Sequence, residues 1–178
     1  MNGEQNLELR RAPVEVRVAG RKLEGYAAVF GTETRIGPFT EIVMPGAFSA
    51  TPASGADVLA LMDHDPRQLL GRTRSGTLTI SEDQKGLAFS LDVPDTQAGR
   101  DALALATRGD LGGMSFGFLV PKGGDAWADD RRELRSVDLK EISVVSSWPA
   151  YEGTVVSARS RPPIRPRLRH VQRFLETV

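Results

Sequence analysis

Short apolar or alternating stretches, each closed by glycine or proline, shape this sequence of 178 residues more than any other feature. Between residues 14 and 18, valine alternates with polar side chains, which is typical of a half-buried strand. We predict about nine strands of this kind, at 14–18, 23–30, 58–62, 77–80, 87–93, 115–120, 132–137, 141–145 and 154–158. They favour a mostly β fold, an antiparallel barrel or sandwich with helical additions.

One segment has helical spacing instead. Residues Gln97 to Arg108 place small and apolar side chains on one face, Asp95-Thr96 can cap the beginning, and Gly109 can end it. The segment from residue 31 to residue 57 carries repeated Gly-Pro and Pro-Gly pairs and predicts a long loop with one short extended piece at 41–43. A long loop in a compact domain is more often functional than idle.

Charge and cysteine content exclude several classes of function. Lys plus Arg equal Asp plus Glu at 23 each, so the total charge gives no sign of a nucleic-acid partner. There is no cysteine, which excludes disulfides, thiolate metal sites and a cysteine nucleophile. No stretch approaches the roughly 20 apolar residues that span a bilayer. We therefore expect a soluble, cytoplasmic protein that does not contact membranes and whose nucleophile, if it has one, is an oxygen or an amine.

Ser115 is a candidate nucleophile because it lies among glycines and aromatics, in Gly112-Gly113-Met114-Ser115-Phe116-Gly117-Phe118. Small neighbours let a substrate backbone approach, but the same stretch also suits a tight turn that leads into a buried strand. His64 is a candidate base, since it follows the apolar run 58–62, and imidazole suits proton transfer near neutral pH. The other histidine, His170, lies near the end of the chain.

A third group would orient the imidazole, and Glu141 is our candidate for it. The alternation in residues 139–145 places Glu141 and Ser143 on one face and Ile142 and Val144 on the other. Asp138 is the nearest competitor. Alternatively, Glu141 is an exposed strand carboxylate paired with a neighbouring lysine or arginine.

The run Asp63-His64-Asp65 also admits a metal site, since imidazole and carboxylates bind Zn, Mn or Fe. No second histidine lies nearby in the sequence, so such a site would need several distant carboxylates. The sequence contains no phosphate-binding loop, dinucleotide-binding fingerprint or zinc-ligand spacing.

Five motifs, taken in order, resemble the prohead (capsid maturation) proteases of tailed bacteriophages over about residues 14 to 159. They are Gly25-Tyr26-Ala27-Ala28-Val29-Phe30; Pro45-Gly46-Ala47-Phe48; His64-Asp65 with Leu70-Gly71-Arg72; Gly113-Met114-Ser115-Phe116-Gly117-Phe118; and Leu139-Lys140-Glu141-Ile142-Ser143-Val144-Val145 with Pro149-Ala150-Tyr151. The resemblance implies a serine endopeptidase with a fold similar to the herpesvirus assemblin proteases, an antiparallel β-barrel ringed by helices.

The resemblance places the family's serine on Ser115 and its histidine on His64. Assemblins use a second histidine as third member, and since residues 1–160 hold no other, Glu141 takes that place as an inference. Backbone amides are expected to stabilise the oxyanion, with Met114, Ser115 and Ala150 as candidates. Ser146-Ser147-Trp148 before Pro149 departs from the family pattern and leaves the geometry of that loop open.

The resemblance implies a protease domain over residues 1–160, and the proline and arginine content marks residues 161–178 as a separate tail. The expected partners are the major capsid protein, through its scaffold or delta domain, the enzyme itself, and a second copy in a homodimer as in assemblins. We expect the protein to act inside the immature prohead in the host cytoplasm. We expect no metal or other cofactor. From Arg159 onward six arginines face one acid, Glu176, so the tail is a self-processed segment, a dock for scaffold, or a solvated end.

Two rival hypotheses remain at this stage. In the first, the chain is a non-catalytic β-barrel that binds capsid or scaffold protein, and Ser115 is only a turn residue. In the second, it is a metal hydrolase centred on Asp63 and His64.

Overall fold

The computed structural model describes residues 6–12, 14 and 16–146, which form thirteen strands and two helices. The elements, in chain order, are β1 (Glu8–Ala12), β2 (Val16–Ala19), β3 (Lys22–Val29), β4 (Glu33–Ile36), β5 (Phe39–Val43), α1 (Ala50–Ala53), β6 (Leu59–Met62), β7 (Asp65–Arg72), β8 (Leu78–Glu82), β9 (Gly86–Asp92), α2 (Gln97–Arg108), β10 (Gly113–Leu119), β11 (Asp125–Ala128), β12 (Arg131–Leu134) and β13 (Asp138–Val145). The predicted mostly β class with helices is confirmed.

The strands pair into three open sheets, with orders β1-β10-β13-β6-β7, β11-β12-β5-β4 and β2-β3-β9-β8. The barrel that the resemblance implied is not found, because within residues 6–146 no ladder closes a sheet on itself. The sheets are also not purely antiparallel, since β13 runs parallel to β6 and β12 runs parallel to β5. Both parallel pairs join strands that are far apart in sequence, which is the condition a parallel connection needs.

Helix α2 has the predicted ends. The Thr96 side chain accepts a hydrogen bond from the backbone N–H of Gly99, and Gly109 takes the left-handed conformation with φ 74°. No helix in the part of the chain that the structure describes is long and apolar enough to cross a membrane.

Four strands were not predicted, and all of them lie at sheet edges: β1, β7, β11 and β4. An edge strand has a neighbour on one side only, so it tolerates polar side chains and proline, as Pro66 in β7 shows. The short helix α1 lies in the segment predicted as a loop. The predicted strand at 154–158 and the tail lie outside the described residues.

The core contains buried apolar side chains from all three sheets, and the ring of Phe48 packs edge-on against that of Phe116 at its centre. Fully burying a large apolar side chain of this kind contributes about 1.5–3 kcal/mol. Strands β10 and β13 lie inside their sheet and are buried along most of their length. A polar side chain on either strand must therefore find its hydrogen-bond partner within the protein.

Candidate active site

The polar residues of β13 face those of β10 across one ladder. Ser143 pairs with Ser115, and Glu141 pairs with Gly117. Because side chains alternate along a strand and directly opposed residues share a face, Ser115, Ser143 and Glu141 all lie on the same face of the sheet. The predicted alternation of residues 139–145 brings Glu141 and Ser143 together as expected.

His64 lies in a two-residue turn that joins β6 to β7. Met62 pairs with Asp65, and the turn residues Asp63 and His64 both have positive φ, of 50° and 62°. Two left-handed residues are the requirement of the type I′ hairpin, and each costs about 1–2 kcal/mol for a residue with a side chain, less for Asp and His. The histidine thus lies at the end of a buried strand, as predicted, in a strained conformation that its surroundings must hold.

The carboxylate of Asp63 holds this turn against the end of β13. The backbone N–H of Ser146 donates to Oδ1 over 2.8 Å, and its hydroxyl donates to Oδ2 over 2.7 Å. Since β13 is parallel to β6, both strands end at the same edge of the sheet. The two hydrogen bonds therefore fix the turn that carries His64 to the strand that carries Glu141.

His64 and Glu141 are in direct contact, with Nδ1 2.7 Å from Oε1. The second oxygen, Oε2, accepts the hydroxyl of Ser143 over 2.5 Å. An ionised carboxylate only accepts hydrogen bonds, so the proton of the neutral imidazole lies on Nδ1 and the lone pair lies on Nε2. Nε2 is buried and has no hydrogen-bond partner among the described residues. This is the tautomer that a general base needs.

Ser115 is fully buried at the third position of β10. Its hydroxyl donates to the backbone carbonyl of Arg10 on β1, over 2.7 Å. The interpretation of Ser115 as a turn residue is therefore wrong. In this structure the hydroxyl is bonded to Arg10 and not to His64.

The remaining candidate residues, Met114, Ala150 and Asp138, differ in where they lie. Met114 is buried beside Ser115 in β10, whereas Ala150 lies outside the described residues. Asp138 begins β13, and Glu141, not Asp138, reaches the imidazole. Glu141 is only 6% exposed and pairs with neither Lys140 nor any arginine within residues 6–146, so the interpretation of it as an exposed strand carboxylate is wrong.

The two aspartates beside His64 are occupied by other partners. Asp63 binds Ser146, and the hydrogen bond from Arg67 holds the pKa of the Asp65 carboxyl well below its usual range. In the stretches that the structure describes, no three or more His, Cys, Asp or Glu side chains form a group that could hold a metal ion. The geometry around His64 thus favours a hydrogen-bonded role over a ligand role.

A buried ion cluster fixes β1 beside the candidate site. The guanidinium of Arg10 binds both oxygens of Glu41 on β5 and one oxygen of Glu8, and the guanidinium of Arg132 on β12 binds Glu8, Glu41 and Asp125. Burial alone would raise the pKa of Glu8, but the hydrogen bonds and charges of the two arginines outweigh it and lower the pKa. The cluster links two sheets and holds the Arg10 carbonyl next to Ser115.

Sequence reasoning missed the contacts made by Ser143 and Asp63. The alternation of Glu141 and Ser143 was visible in the sequence and could have indicated their hydrogen bond. The Asp63 contact could not have been found in this way, since it depends on β6 and β13 ending at the same edge.

The family model for the caudovirus prohead serine proteases matches residues 7–164 of the chain. The chain belongs to this family. Among curated proteins, the prohead protease of Enterobacteria phage HK97 is 32% identical over 139 residues, which are 76% of this chain and 58% of that protein. The chain therefore spans less than two thirds of the length of that relative. No solved structure matches the chain. The matched region contains all the candidate catalytic residues, and family membership confirms the resemblance found in the sequence.

Proposed function

We propose that the chain is a serine endopeptidase in which Ser115 is the nucleophile, His64 the general base and Glu141 the carboxylate that orients His64. The contact between His64 Nδ1 and Glu141 Oε1 is the observation that carries the proposal, because a carboxylate at Nδ1 favours the tautomer in which Nε2 is the basic nitrogen. Ser115 lies on the face of the sheet that also carries Glu141. Membership of a serine protease family supports the assignment.

The mechanism requires Ser115 to move before chemistry, because its hydroxyl is hydrogen-bonded to the Arg10 carbonyl. Its hydroxyl leaves the Arg10 carbonyl and turns toward Nε2 of His64, a tightening that is common when an unliganded site binds substrate. Because Ser115 is fully buried, substrate binding must also uncover it. His64 then takes the hydroxyl proton as Oγ bonds to the peptide carbonyl carbon.

The tetrahedral intermediate collapses when the C–N bond breaks and His64 returns the proton to the leaving amine. Water, deprotonated by the same nitrogen, then attacks the acyl carbon; the ester C–O bond breaks, and His64 returns the proton to Oγ of Ser115. Glu141 stabilises the imidazolium that forms in each half of the reaction. No cofactor takes part in any of these steps.

For the oxyanion, backbone N–H groups of Met114, Ser115 and Ala150 are the candidates. Met114 and Ser115 lie in a strand with neighbours on both sides, where ladder hydrogen bonds engage N–H groups. This consideration favours Ala150, at the position where the family motif Pro149-Ala150-Tyr151 follows β13.

We propose that the substrates are the scaffold or delta domain of the major capsid protein and the enzyme itself, cut inside the immature prohead in the host cytoplasm. Family membership and the HK97 relative support this choice. The protease domain over residues 1–160 and the homodimer rest on the sequence resemblance alone. A role of the tail, residues 161–178, in docking scaffold rests on its arginines and prolines; tail-deleted protein that still enters proheads would refute it.

The test is coexpression with the capsid and scaffold proteins of the same phage, using wild type, Ser115→Ala and Ser90→Ala. Ser90 is a strand serine on β9 that bonds Glu24, so it is a matched control. We expect truncated capsid or scaffold protein, by intact mass, with wild type and Ser90→Ala but not with Ser115→Ala. If wild type leaves every partner uncut but binds it, the non-catalytic hypothesis replaces this one.

A further inference from the structure

The two oxygens of Glu141 have separate partners, which fixes the carboxylate in one orientation. Oε1 faces His64 Nδ1 at 2.7 Å, and Oε2 accepts the Ser143 hydroxyl at 2.5 Å. Ser143 is fully buried, and its side chain lies two residues from Glu141 on the same strand. Because a buried hydroxyl must donate to some acceptor, the bond to Oε2 satisfies Ser143 and restrains Glu141 at the same time.

Gly117 lies directly opposite Glu141 and provides the space that the carboxylate occupies. A Cβ on Gly117 would lie 2.5 Å from Oε1 and 3.0 Å from Cγ of Glu141, and 3.0 Å from Cδ2 of Leu9. Carbon and oxygen atoms that are not bonded do not approach to 2.5 Å, so any side chain here displaces the carboxylate. The glycine therefore determines where the oxygen that faces His64 can lie.

We infer that Ser143 and Gly117 are positioning residues of the triad: Ser143 holds the second oxygen of Glu141, and Gly117 leaves the room for the first. This inference rests on the proposed function. Neither residue contacts the atoms that would react. Both act through Glu141, whose orientation sets the tautomer and the direction of the His64 ring.

Gly117→Ala separates positioning from folding. The closest atom it meets belongs to the Glu141 side chain and not to the backbone, so we expect the variant to fold. Displacing the buried, hydrogen-bonded carboxylate lowers the melting temperature to some extent, so the melting temperature is measured with the kinetics. The movement takes Oε1 away from His64, and small misplacements of catalytic groups lower rates by up to about 100-fold. We expect kcat to fall roughly 10- to 100-fold, with KM within about twofold of wild type.

Gly71→Ala is the matched control for that variant. A Cβ on Gly71 in β7 would lie 2.6 Å from Cδ1 of Leu91, which is also the end of a flexible side chain, and it meets Thr77 and not the triad. This variant creates the same kind of overlap away from the site. We expect kcat and KM for Gly71→Ala to match those of wild type.

Ser143→Ala tests the hydrogen bond to the second oxygen, with Ser90→Ala as control, since Ser90 donates to Glu24 over 3.1 Å on the surface. We expect a fall in kcat of about tenfold or more with little change in KM. Removing a hydroxyl from a buried position can also lower stability, so the melting temperature is measured with the kinetics. If Ser143→Ala does not fold, Gly117→Ala still tests the inference.

A readout independent of catalysis is the far-downfield proton resonance of the His64 Nδ1–H, assigned by its loss in His64→Ala. We expect it in wild type, Ser90→Ala and Gly71→Ala, and we expect it shifted upfield or broadened in Ser143→Ala and Gly117→Ala. An unchanged resonance together with unchanged kcat in both site variants would overturn the inference. The proposed function fails separately, if Ser115→Ala cleaves peptide as fast as wild type.

Discussion

The imidazole Nδ1 of His64 lies 2.7 Å from Oε1 of Glu141, although 77 residues separate the two in the chain. Two parallel strands bring these side chains together, because His64 follows the end of β6 and Glu141 lies on the neighbouring strand β13. A carboxylate that accepts Nδ1–H makes Nε2 the basic nitrogen of the ring. The consequences can be tested one residue at a time.

Replacing Glu141 with glutamine should lower kcat by roughly 10³- to 10⁴-fold, because an amide can donate to Nδ1 and favour the wrong tautomer. The side chain keeps its size, so the fold should remain intact. Glu24→Gln is the control, because Glu24 is an exposed glutamate in another sheet. Peptide cleavage under substrate saturation measures the effect. A Glu141→Gln enzyme within a few-fold of wild type would remove Glu141 from the triad.

Asp63→Ala should lower both the free energy of unfolding and the activity, since the variant loses two hydrogen bonds from Ser146. It also places alanine at a positive φ, which Asp tolerates better. Asp129→Ala is a matched control, because Asp129 has φ 52° in the turn between β11 and β12. The strain is common to both variants, so the additional loss for Asp63→Ala, about 1–2 kcal/mol, measures the hydrogen bonds. If urea unfolding gives equal losses of unfolding free energy for the two variants, the hydrogen bonds from Ser146 do not stabilise the fold.

Gly99→Ala should destabilise the protein even though alanine is the better helix former by about 1 kcal/mol. A Cβ on Gly99 would collide with the backbone carbonyl of Pro94, which cannot move away as a side chain can. We expect a loss of about 1–3 kcal/mol in the free energy of unfolding. A variant as stable as wild type would mean that α2 can shift away from Pro94.

Glu8→Gln should reduce stability near neutral pH, by about 1–3 kcal/mol, because Gln cannot replace the charged contacts to Arg10 and Arg132. The pKa of Glu8 is lower in the folded protein than its ordinary value of 4.5. Its contribution is therefore fully present above pH 4.5 and is lost as the pH falls through the folded pKa.

The free energy of unfolding of wild type and of Glu8→Gln, measured at several pH values, tests this predicted direction of the pH dependence. The difference between them should be largest near neutral pH and should shrink as acid protonates Glu8. A difference that stays constant into the acid range would contradict the ionic origin of the stabilisation.

The sequence predicted the interior strands and the edge strands β2 and β8, but it missed the edge strands β1, β4, β7 and β11. Strands such as β9 and β13 are apolar because neighbours cover them on both sides, whereas β1 and β7 have one open side and read as polar segments. The predicted barrel was wrong for the described residues because pairing between distant strands depends on the whole fold. Hydropathy alone does not determine it.

The site residues also divide into those that the sequence could predict and those that depend on strand pairing. Ser115, His64 and Glu141 could be named in advance because their side chains can do the chemistry, and because the resemblance to the phage proteases places the family's serine and histidine on Ser115 and His64. The roles of Ser143 and Gly117 depend on what lies beside or across the ladder from them. Only the register of β10 with β13 shows that a glycine faces the carboxylate.

The most direct test of Ser115 as nucleophile is reaction of the folded protein with a serine-directed phosphonate, followed by peptide mass mapping. We expect one adduct, on Ser115, that is absent in Ser115→Ala and forms much more slowly in His64→Ala. An adduct on Ser143 instead, or no adduct on wild-type protein that cleaves its substrate, would contradict the assignment.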